Sequence, residues 1–186
     1  MSTAYKITDQ GACYYLTFQI VDWVDLFTRQ IYRDIVIECL KHCQQKKGLE
    51  IYAYVIMSNH IHILCRSTCD NLSGTIRDFK SFSSKQFLKI LHTNKESRRA
   101  WMSMVFRYNA ENKLAQNYQI WTHENHAEII YSQKFLEQKI TYIHNNPVKA
   151  SIVSLPQDYL YSSARNYHDM EGLLDIVKVD FKVKTY

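Results

Sequence analysis

The sequence is poor in residues that interrupt regular structure, with only four glycines and two prolines among 186 residues. This shortage, together with 46% hydrophobic and 22% charged residues, excludes a disordered or fibrous chain and indicates an ordinary globular protein. No low-complexity segment or internal repeat is visible. One domain over residues 1–186 accounts for the length, with a core at about 14–150 and a C-terminal extension at about 151–186.

Long apolar runs are also missing from the sequence. The longest is far shorter than the roughly 20 residues that a helix needs to span a bilayer. Lys6 and Asp9 precede the first apolar stretch, so the N-terminus does not resemble a secretory signal. We therefore expect a cytoplasmic protein with no membrane partner.

Five cysteines, an odd number without an export signal, indicate reduced thiols rather than a disulfide framework. Cys39 and Cys43 lie four residues apart, and Cys65 and Cys69 repeat that interval. A zinc site is one interpretation, but thiols that fill the core are preferred, because structural zinc sites usually have shorter, loop-borne spacings. The net charge of +5 permits a phosphate-bearing partner without requiring one.

Hydrophobic periodicity in the first half of the chain predicts alternating strands and helices. A first strand covers Tyr14–Val21. A helix follows over about residues 29–47, and Gly48 is expected to end it. Residues 52–65 are predicted to form two buried strands joined by a tight turn. A long helix is expected after that, with Asn71 at its start.

In the second half, residues 95–121 are predicted to form a helix and a loop, with a short fourth strand at Tyr118–Trp121. Ser132 then opens a helix that Pro147 must end. This order predicts the α+β class, as a ferredoxin-like (βαββαβα) antiparallel sheet with helices on one face and a helical insertion before the fourth strand. Alternating residues at Ile176–Lys184 predict an extra edge strand that pairs with a partner.

Two histidines interrupt the apolar run at residues 52–65. His60 and His62 are separated by one isoleucine, so in an extended strand both side chains project from the same face. Neutral imidazole is the commonest metal-ligating side chain, and two such neighbours supply half of a coordination sphere. A hydrogen-bonded pair that flanks the core explains the spacing equally well.

The last predicted helix brings two polar side chains together. Tyr142 and Asn146 are one turn apart at the edge of its apolar stripe, so they can reach one site. Taken alone, a tyrosine in this position is usually an amphipathic core residue. Asn145-Asn146-Pro147 is likewise an ordinary helix stop.

His60-Ile-His62, the segment Tyr142–Ala150 and the later segment Asp158–Tyr167 together resemble the single-tyrosine His-hydrophobic-His transposases. More narrowly, they are similar to the REP-associated tyrosine transposases, relatives of the small IS200-like transposases that act on single-stranded DNA. The resemblance covers most of the chain. Gln10–Tyr14 departs from it, because this segment poorly matches the Gly-and-Tyr motif that hairpin-binding members often carry near the N-terminus.

The resemblance implies a metal-dependent single-stranded DNA endonuclease and strand transferase. Tyr142 would attack a phosphodiester and form a covalent 5′-phosphotyrosine, a step that can later be reversed. His60, His62 and the Asn146 amide oxygen would hold Mg²⁺ or Mn²⁺ against the phosphate. The implied partner is single-stranded DNA, with hairpin-forming repeats among the candidates, and a homodimer is one assembly found among such relatives.

Contacts to the DNA backbone are assigned to basic side chains, and base stacking is assigned to two tryptophans. These candidates are Arg77, Lys80, Lys85, Arg98, Arg99, Trp101 and Trp121.

Two other functions stay open from the sequence. A non-catalytic single-stranded nucleic-acid-binding protein, derived from a transposase, would have this fold without the chemistry. A nickase of plasmid transfer or rolling-circle replication would use the same residue types. In many such nickases the tyrosine precedes the His pair, whereas here Tyr142 follows it.

Overall fold

The computed structural model describes residues 6–93, 96–111 and 117–179. Within these ranges the chain forms four strands and five helices. They are β1 (Tyr14–Gln19), α1 (Gln30–Lys47), β2 (Leu49–Ile56), β3 (His60–Ser67), α2 (Leu72–Leu91), α3 (Arg99–Tyr108), β4 (Glu128–Ile129), α4 (Gln133–Lys149) and α5 (Ala164–Tyr167). None of these helices combines the length and the apolar character that crossing a bilayer requires.

All four strands belong to one antiparallel sheet, in the order β2-β3-β1-β4. The inner strands β1 and β3 pair so that His62 lies opposite Thr17 and Ile61 lies opposite Phe18. β2 and β3 form the predicted tight hairpin, and α3 is the predicted helical insertion before the fourth strand. Strand order and direction confirm the predicted ferredoxin-like α+β fold.

Local sequence signals fix several helix ends. α1 ends at Gly48, whose left-handed φ of 61° lets its N–H donate to the Cys43 carbonyl. α4 begins after Ser132, whose hydroxyl accepts a hydrogen bond from a backbone N–H in the first turn. Pro147 was predicted to end α4, but the helix continues to Lys149. The last turn still closes, because the Ala150 N–H donates to the Asn146 carbonyl at 3.0 Å.

The helices cover both faces of the sheet. Phe18 of β1 contacts Phe79 of α2, with ring centroids 5.5 Å apart. Tyr15, on the opposite face of β1, contacts Tyr142 of α4 at 6.2 Å. α1 packs beside α2, where Leu40 approaches Phe18 and Phe79. Helices were expected on one face of the sheet only. α1 and α2 do share one face, but α4 packs on the other.

An aromatic core fills the space beneath α2. Trp121 is 5% exposed. Its ring centroid lies 5.8 to 6.4 Å from the rings of Phe18, Phe27, Phe79 and Phe87. The predicted fourth strand at Tyr118–Trp121 is wrong, because Trp121 makes only an isolated bridge with Ile20 and β4 begins at Glu128. Core packing, rather than strand pairing, explains why this segment is apolar.

The C-terminal segment runs along the outer edge of β2. Ser162 forms an antiparallel bridge with Val55. Further on, the Val177 N–H donates to the Ile51 carbonyl at 2.9 Å. The described part of the segment predicted as a strand, Ile176–Lys184, forms no strand, and the rest of it lies outside the described residues.

Candidate active site

β3 carries His60 and His62 on the face of the sheet that α4 covers. Their ring centroids lie 4.6 Å apart, with 68° between the ring planes. Ile61 and Ile63 point to the other face and are almost fully buried in the core. The period of two along a strand therefore places the two imidazoles side by side, as their spacing predicts.

His62 is held by two hydroxyl groups of β1. Its Nδ1 lies 2.8 Å from the Tyr15 hydroxyl and 2.9 Å from the Thr17 hydroxyl. Tyr15 also stacks on the imidazole, with centroids 5.5 Å apart. Both contacts follow from the register, because Thr17 lies opposite His62 and Tyr15 is its neighbour on the same face. With Nδ1 engaged, Nε2 is the nitrogen left for a ligand.

Asn59, in the turn before β3, orients His60. The Asn59 Nδ2 donates to the Trp23 carbonyl at 3.3 Å and to Asp25 Oδ1 at 3.1 Å. Because both partners are acceptors, Asn59 Oδ1 is the atom that faces His60 Nδ1, at 2.7 Å. An amide oxygen cannot donate, so the His60 Nδ1 carries the proton and Nε2 keeps its lone pair. A neutral imidazole in this tautomer binds a metal ion through Nε2.

Burial keeps both histidines neutral. Desolvation lowers the pKa of His60 below its usual 6.5. It lowers the pKa of His62 to about 3, and the nearby His60 and Lys139 shift that pKa in the same direction. Neither imidazole therefore has to lose a proton before it can act as a ligand at neutral pH.

Tyr142 lies on α4, where it reaches the His pair. Its ring centroid is 5.4 Å from that of His62, at an angle of 64°. The side chain is 40% exposed, so the hydroxyl can meet a ligand from outside the protein. Lys149 Nζ lies 5.5 Å from the centre of the Tyr142 ring, and Lys139 Nζ lies 4.1 Å from the centre of the Tyr15 ring. Lys139 is also ion-paired with Glu128 at 2.8 Å, so Lys149 is the cation that lies against the Tyr142 ring.

Asn146 follows Tyr142 by one helical turn. Its Nδ2 donates to the Tyr142 carbonyl at 2.9 Å. This bond ties the amide to α4 and leaves Oδ1 as the side-chain atom that can bind a cation. Of the four predicted site residues, His62 contacts both His60 and Tyr142. Asn146 is bonded to the Tyr142 backbone on the same helix. Its convergence with the two imidazoles on one metal ion stays a prediction.

Two of the predicted DNA-binding residues serve the protein interior instead. The Lys80 ammonium donates to the Thr122 carbonyl at 3.0 Å and to the Asn125 side chain, and burial lowers its pKa to about 8. Arg98 Nε pairs with Glu96, whose side chain is 1% exposed, at 3.2 Å. Both assignments need correction, because these cations already neutralise or cap groups inside the fold.

Trp121 needs the same correction. It is buried in the aromatic core, so no base can stack on it. Arg77, Lys85, Arg99 and Trp101 are exposed, and their assignment to DNA contacts stays a prediction. Arg77 and Lys85 lie on α2, however, which covers the sheet face opposite the His pair.

Sequence reasoning missed four residues around the site. Tyr15 and Thr17 could have been found, since a strand paired with β3 has to supply neighbours for His62. Lys139 lies three residues before Tyr142, which is the spacing of neighbours on a helix. Trp23 gave no local signal: its ring centroid lies 6.2 Å from that of His60 only because the chain between β1 and α1 folds back toward the hairpin turn.

Comparisons with known proteins give a family and a similar fold. Residues 13–146 match the family described as "Transposase IS200 like". A comparison with curated proteins finds no match. Among solved structures, the chain is similar in fold to "Structure of the REP associates tyrosine transposase bound to a REP hairpin", with 18% identity, coverage of 100% of this chain and 98% of that chain, and a TM-score of 0.59. Because the family match runs from the start of β1 to Asn146, this chain belongs to the IS200-like transposase family.

Proposed function

We propose that this protein cleaves and rejoins single-stranded DNA through a covalent 5′-phosphotyrosine at Tyr142. The observation that carries the proposal is the contact between the exposed Tyr142 ring and His62, with His60 at its side. A nucleophile beside a pair of neutral imidazoles is the arrangement that metal-assisted phosphodiester chemistry needs. Membership of a transposase family supports the same reaction class.

The residues present fit a divalent metal ion. His60 and His62 are neutral and keep Nε2 for a ligand, and Asn146 offers an amide oxygen. Within the described residues, no group of three His, Cys, Asp or Glu side chains could hold a metal ion, so a third ligand has to be of another type. Asn146 meets that need, and no cysteine zinc site competes with it in the described ranges. A bound Mg²⁺ or Mn²⁺ would polarise a non-bridging phosphate oxygen.

Tyr142 supplies the nucleophile. Its hydroxyl loses a proton to solvent, the oxygen bonds to phosphorus, and the bond from phosphorus to the 3′-oxygen breaks. The 3′-oxygen leaves as a hydroxyl after taking a proton from solvent, and its attack on the phosphotyrosine reverses the step. Lys149, near the Tyr142 ring, stabilises the phosphate charge electrostatically.

The proposed partner is single-stranded DNA, with hairpin-forming repeats included. The similar solved structure is that of a transposase bound to a REP hairpin, which supports a hairpin ligand for this fold. The poor match of Gln10–Tyr14 to the hairpin-associated motif makes an unpaired strand the first substrate to test. A homodimer in the cytoplasm, with reduced cysteines, remains our expectation for the working form.

The test is a denaturing gel with labelled single-stranded oligonucleotides drawn from DNA that flanks the gene, in Mg²⁺ or Mn²⁺. The wild type is expected to form a protein-DNA adduct, and Tyr142→Phe is expected to lose it while still binding DNA, since only the nucleophilic oxygen is removed. Tyr131→Phe is the matched control, because Tyr131 is 77% exposed and precedes the same helix.

An adduct in the Tyr142→Phe variant would assign the nucleophile to another tyrosine. If the wild type binds every oligonucleotide but forms no adduct with either metal ion, the protein is a single-stranded nucleic-acid-binding protein rather than an enzyme.

A further inference from the structure

Trp23 is a second exposed aromatic residue beside the His pair, in addition to Tyr142. It lies in a short 3-10 turn, Val21–Trp23, between β1 and α1, and it is 60% exposed. Its ring meets the His60 ring edge-on, at 80° and a centroid distance of 6.2 Å. The indole therefore borders the proposed metal ligands on the side away from Tyr142, which contacts His62.

The backbone at this position is strained. Asp22 and Trp23 both have positive φ, at 50° and 55°. This left-handed region is unfavourable for residues that carry a Cβ, and turns with two such residues in succession are usually built from Asn, Asp or Gly. A glycine would adopt the conformation without strain, yet a tryptophan occupies it.

Specific hydrogen bonds hold the strained turn in place. Asn59 Nδ2 donates to the Trp23 carbonyl at 3.3 Å, and Asn109 Nδ2 donates to Asp22 Oδ2 at 2.7 Å. The Asn59 side chain is the one that also bonds to His60. A single amide thus holds both the Trp23 backbone and the His60 imidazole, so the fold places the indole at the edge of the His pair.

Core packing does not explain this residue. Trp121 is 5% exposed and contributes its indole to the core, whereas Trp23 remains 60% exposed. An exposed indole next to the proposed metal ligands matches one ligand group well, because the flat face of any nucleobase stacks on an aromatic ring. Trp23 also offers its ring without reading base edges, which suits a position that tolerates any base.

We propose that a nucleobase adjoining the scissile phosphate stacks on the Trp23 indole. This inference rests on the proposed function, and it makes Trp23 a residue that positions the DNA strand across the His pair. The strained turn then serves to present the ring at a set distance from the metal ligands.

The test combines Trp23 variants with abasic oligonucleotides, in a Tyr142→Phe background that binds DNA without cleaving it. Affinity is measured for the intact strand and for strands with one abasic site at each position around the cleavage point. With Trp23 present, one abasic position is expected to weaken binding by at least about fivefold, the lower range for loss of one stacked base. Trp23→Ala should bind the intact strand that much more weakly, with no further loss at that abasic position.

Three further variants separate stacking from other roles. Trp23→Phe should retain most of the affinity, and Trp23→Leu should lose it, because leucine keeps bulk without an aromatic face. Trp23→Gly should melt at the same or a higher temperature than the parent, because glycine relieves the strain, yet bind as weakly as Trp23→Ala. Tyr108→Ala is the control, since Tyr108 is 70% exposed at the end of α3.

The outcomes distinguish the two proposals. If Trp23→Ala binds the intact strand as tightly as its parent, or binds it weakly but responds to every abasic site as the parent does, the stacking role is overturned. If the parent protein binds no single-stranded oligonucleotide at all, the proposed function fails with it.

Discussion

The two faces of the central sheet are made by the same strands but have opposite characters. On β1, Phe18 points to the face beneath α2 and Thr17 points to the face beneath α4. On β3, Ile61 is fully buried in the core, while His62 faces Tyr142. One face is an aromatic core. The other holds the polar site beside buried aliphatic residues such as Leu64 and Val55. The two are separated by the thickness of one sheet.

This difference shows that one strand can supply core residues on one face and site residues on the other. Because successive side chains alternate, the apolar residues that anchor β3 also fix where its histidines point. A slip of one residue in the register between β1 and β3 would exchange the two faces, so the core specifies the site.

Histidines offer a second comparison within the chain. His62 and His144 are both buried, and burial lowers the pKa of each to about 3. His144 Nε2 bonds to the Ser163 hydroxyl at 2.9 Å, where α4 meets the C-terminal segment. A low pKa alone therefore does not distinguish His62 from His144. The groups around each imidazole do, because His62 lies beside His60 and Tyr142.

The largest expected effect comes from the polar face. His60→Ala or His62→Ala should abolish cleavage, by more than about 100-fold, because one of the three proposed ligands for a hard cation would be lost. A chelator should do the same to the wild type. Circular dichroism should show folded variants, since neither imidazole belongs to the aromatic core. Cleavage that persists in excess chelator, or unfolding of both variants, would make these histidines structural.

On the apolar face, Trp121→Ala should lower the free energy of unfolding by about 3–5 kcal/mol, the usual range when a large aromatic side chain leaves a core. Urea titration followed by far-ultraviolet circular dichroism measures this. Single-stranded DNA binding by the protein that remains folded should be unchanged. A loss of DNA binding without a loss of stability would contradict this prediction and would indicate that Trp121 contacts DNA.

Acid should lower the stability of the fold through two buried histidines, His62 and His144. His62 and His144 have folded-state pKa values of about 3 against an ordinary 6.5, so the unfolded chain binds more protons between these values. Their contribution is complete above about pH 6.5 and is lost as the pH falls toward 3, by about 1.4 kcal/mol per pH unit for each histidine. Urea midpoints at pH 7, 6 and 5 test the trend, and His144→Gln should flatten it.

The smallest expected effect is on DNA affinity, when a lysine on one face of the sheet or the other loses its charge. Lys149 lies near Tyr142, whereas Lys85 is exposed on α2, behind the opposite face. Lys149→Gln should weaken single-stranded DNA binding a few-fold and reduce the slope of log affinity against log salt by about 0.7. Lys85→Gln should change neither quantity. Equal effects of the two substitutions would show that DNA contacts both faces.

The parts of the fold that sequence reasoning predicted depend on local patterns. The hairpin of β2 and β3, the glycine after α1 and the Ser132 cap are each encoded within a few residues. The same is true of His60 and His62, whose common face follows from strand geometry. The role of Tyr142 was predicted only through the family resemblance, because a tyrosine at the edge of an apolar stripe is usually a core residue.

The errors arose where partners lie far apart in the sequence. Lys80 looked like a surface cation until Thr122 and Asn125 proved to accept its hydrogen bonds. Tyr118–Trp121 has strand composition because Trp121 packs in the core, and β4 is too short to give a pattern of its own. The bonds of Asn59 to Trp23 and His60 had no local signal either, because they depend on where the loop after β1 lies.

The segment along β2 bears on how copies of this chain can associate. An uncovered edge strand offers its backbone groups to any other strand and is a common route to aggregation. Here Ser162 and Val177 already engage Val55 and Ile51, so a second copy would have to displace this segment before joining that edge. β4, with only two residues, is a poor template at the other edge. Both edges of the sheet are therefore poor sites for pairing with strands of a second copy, so a homodimer of the kind proposed above would form through other surfaces.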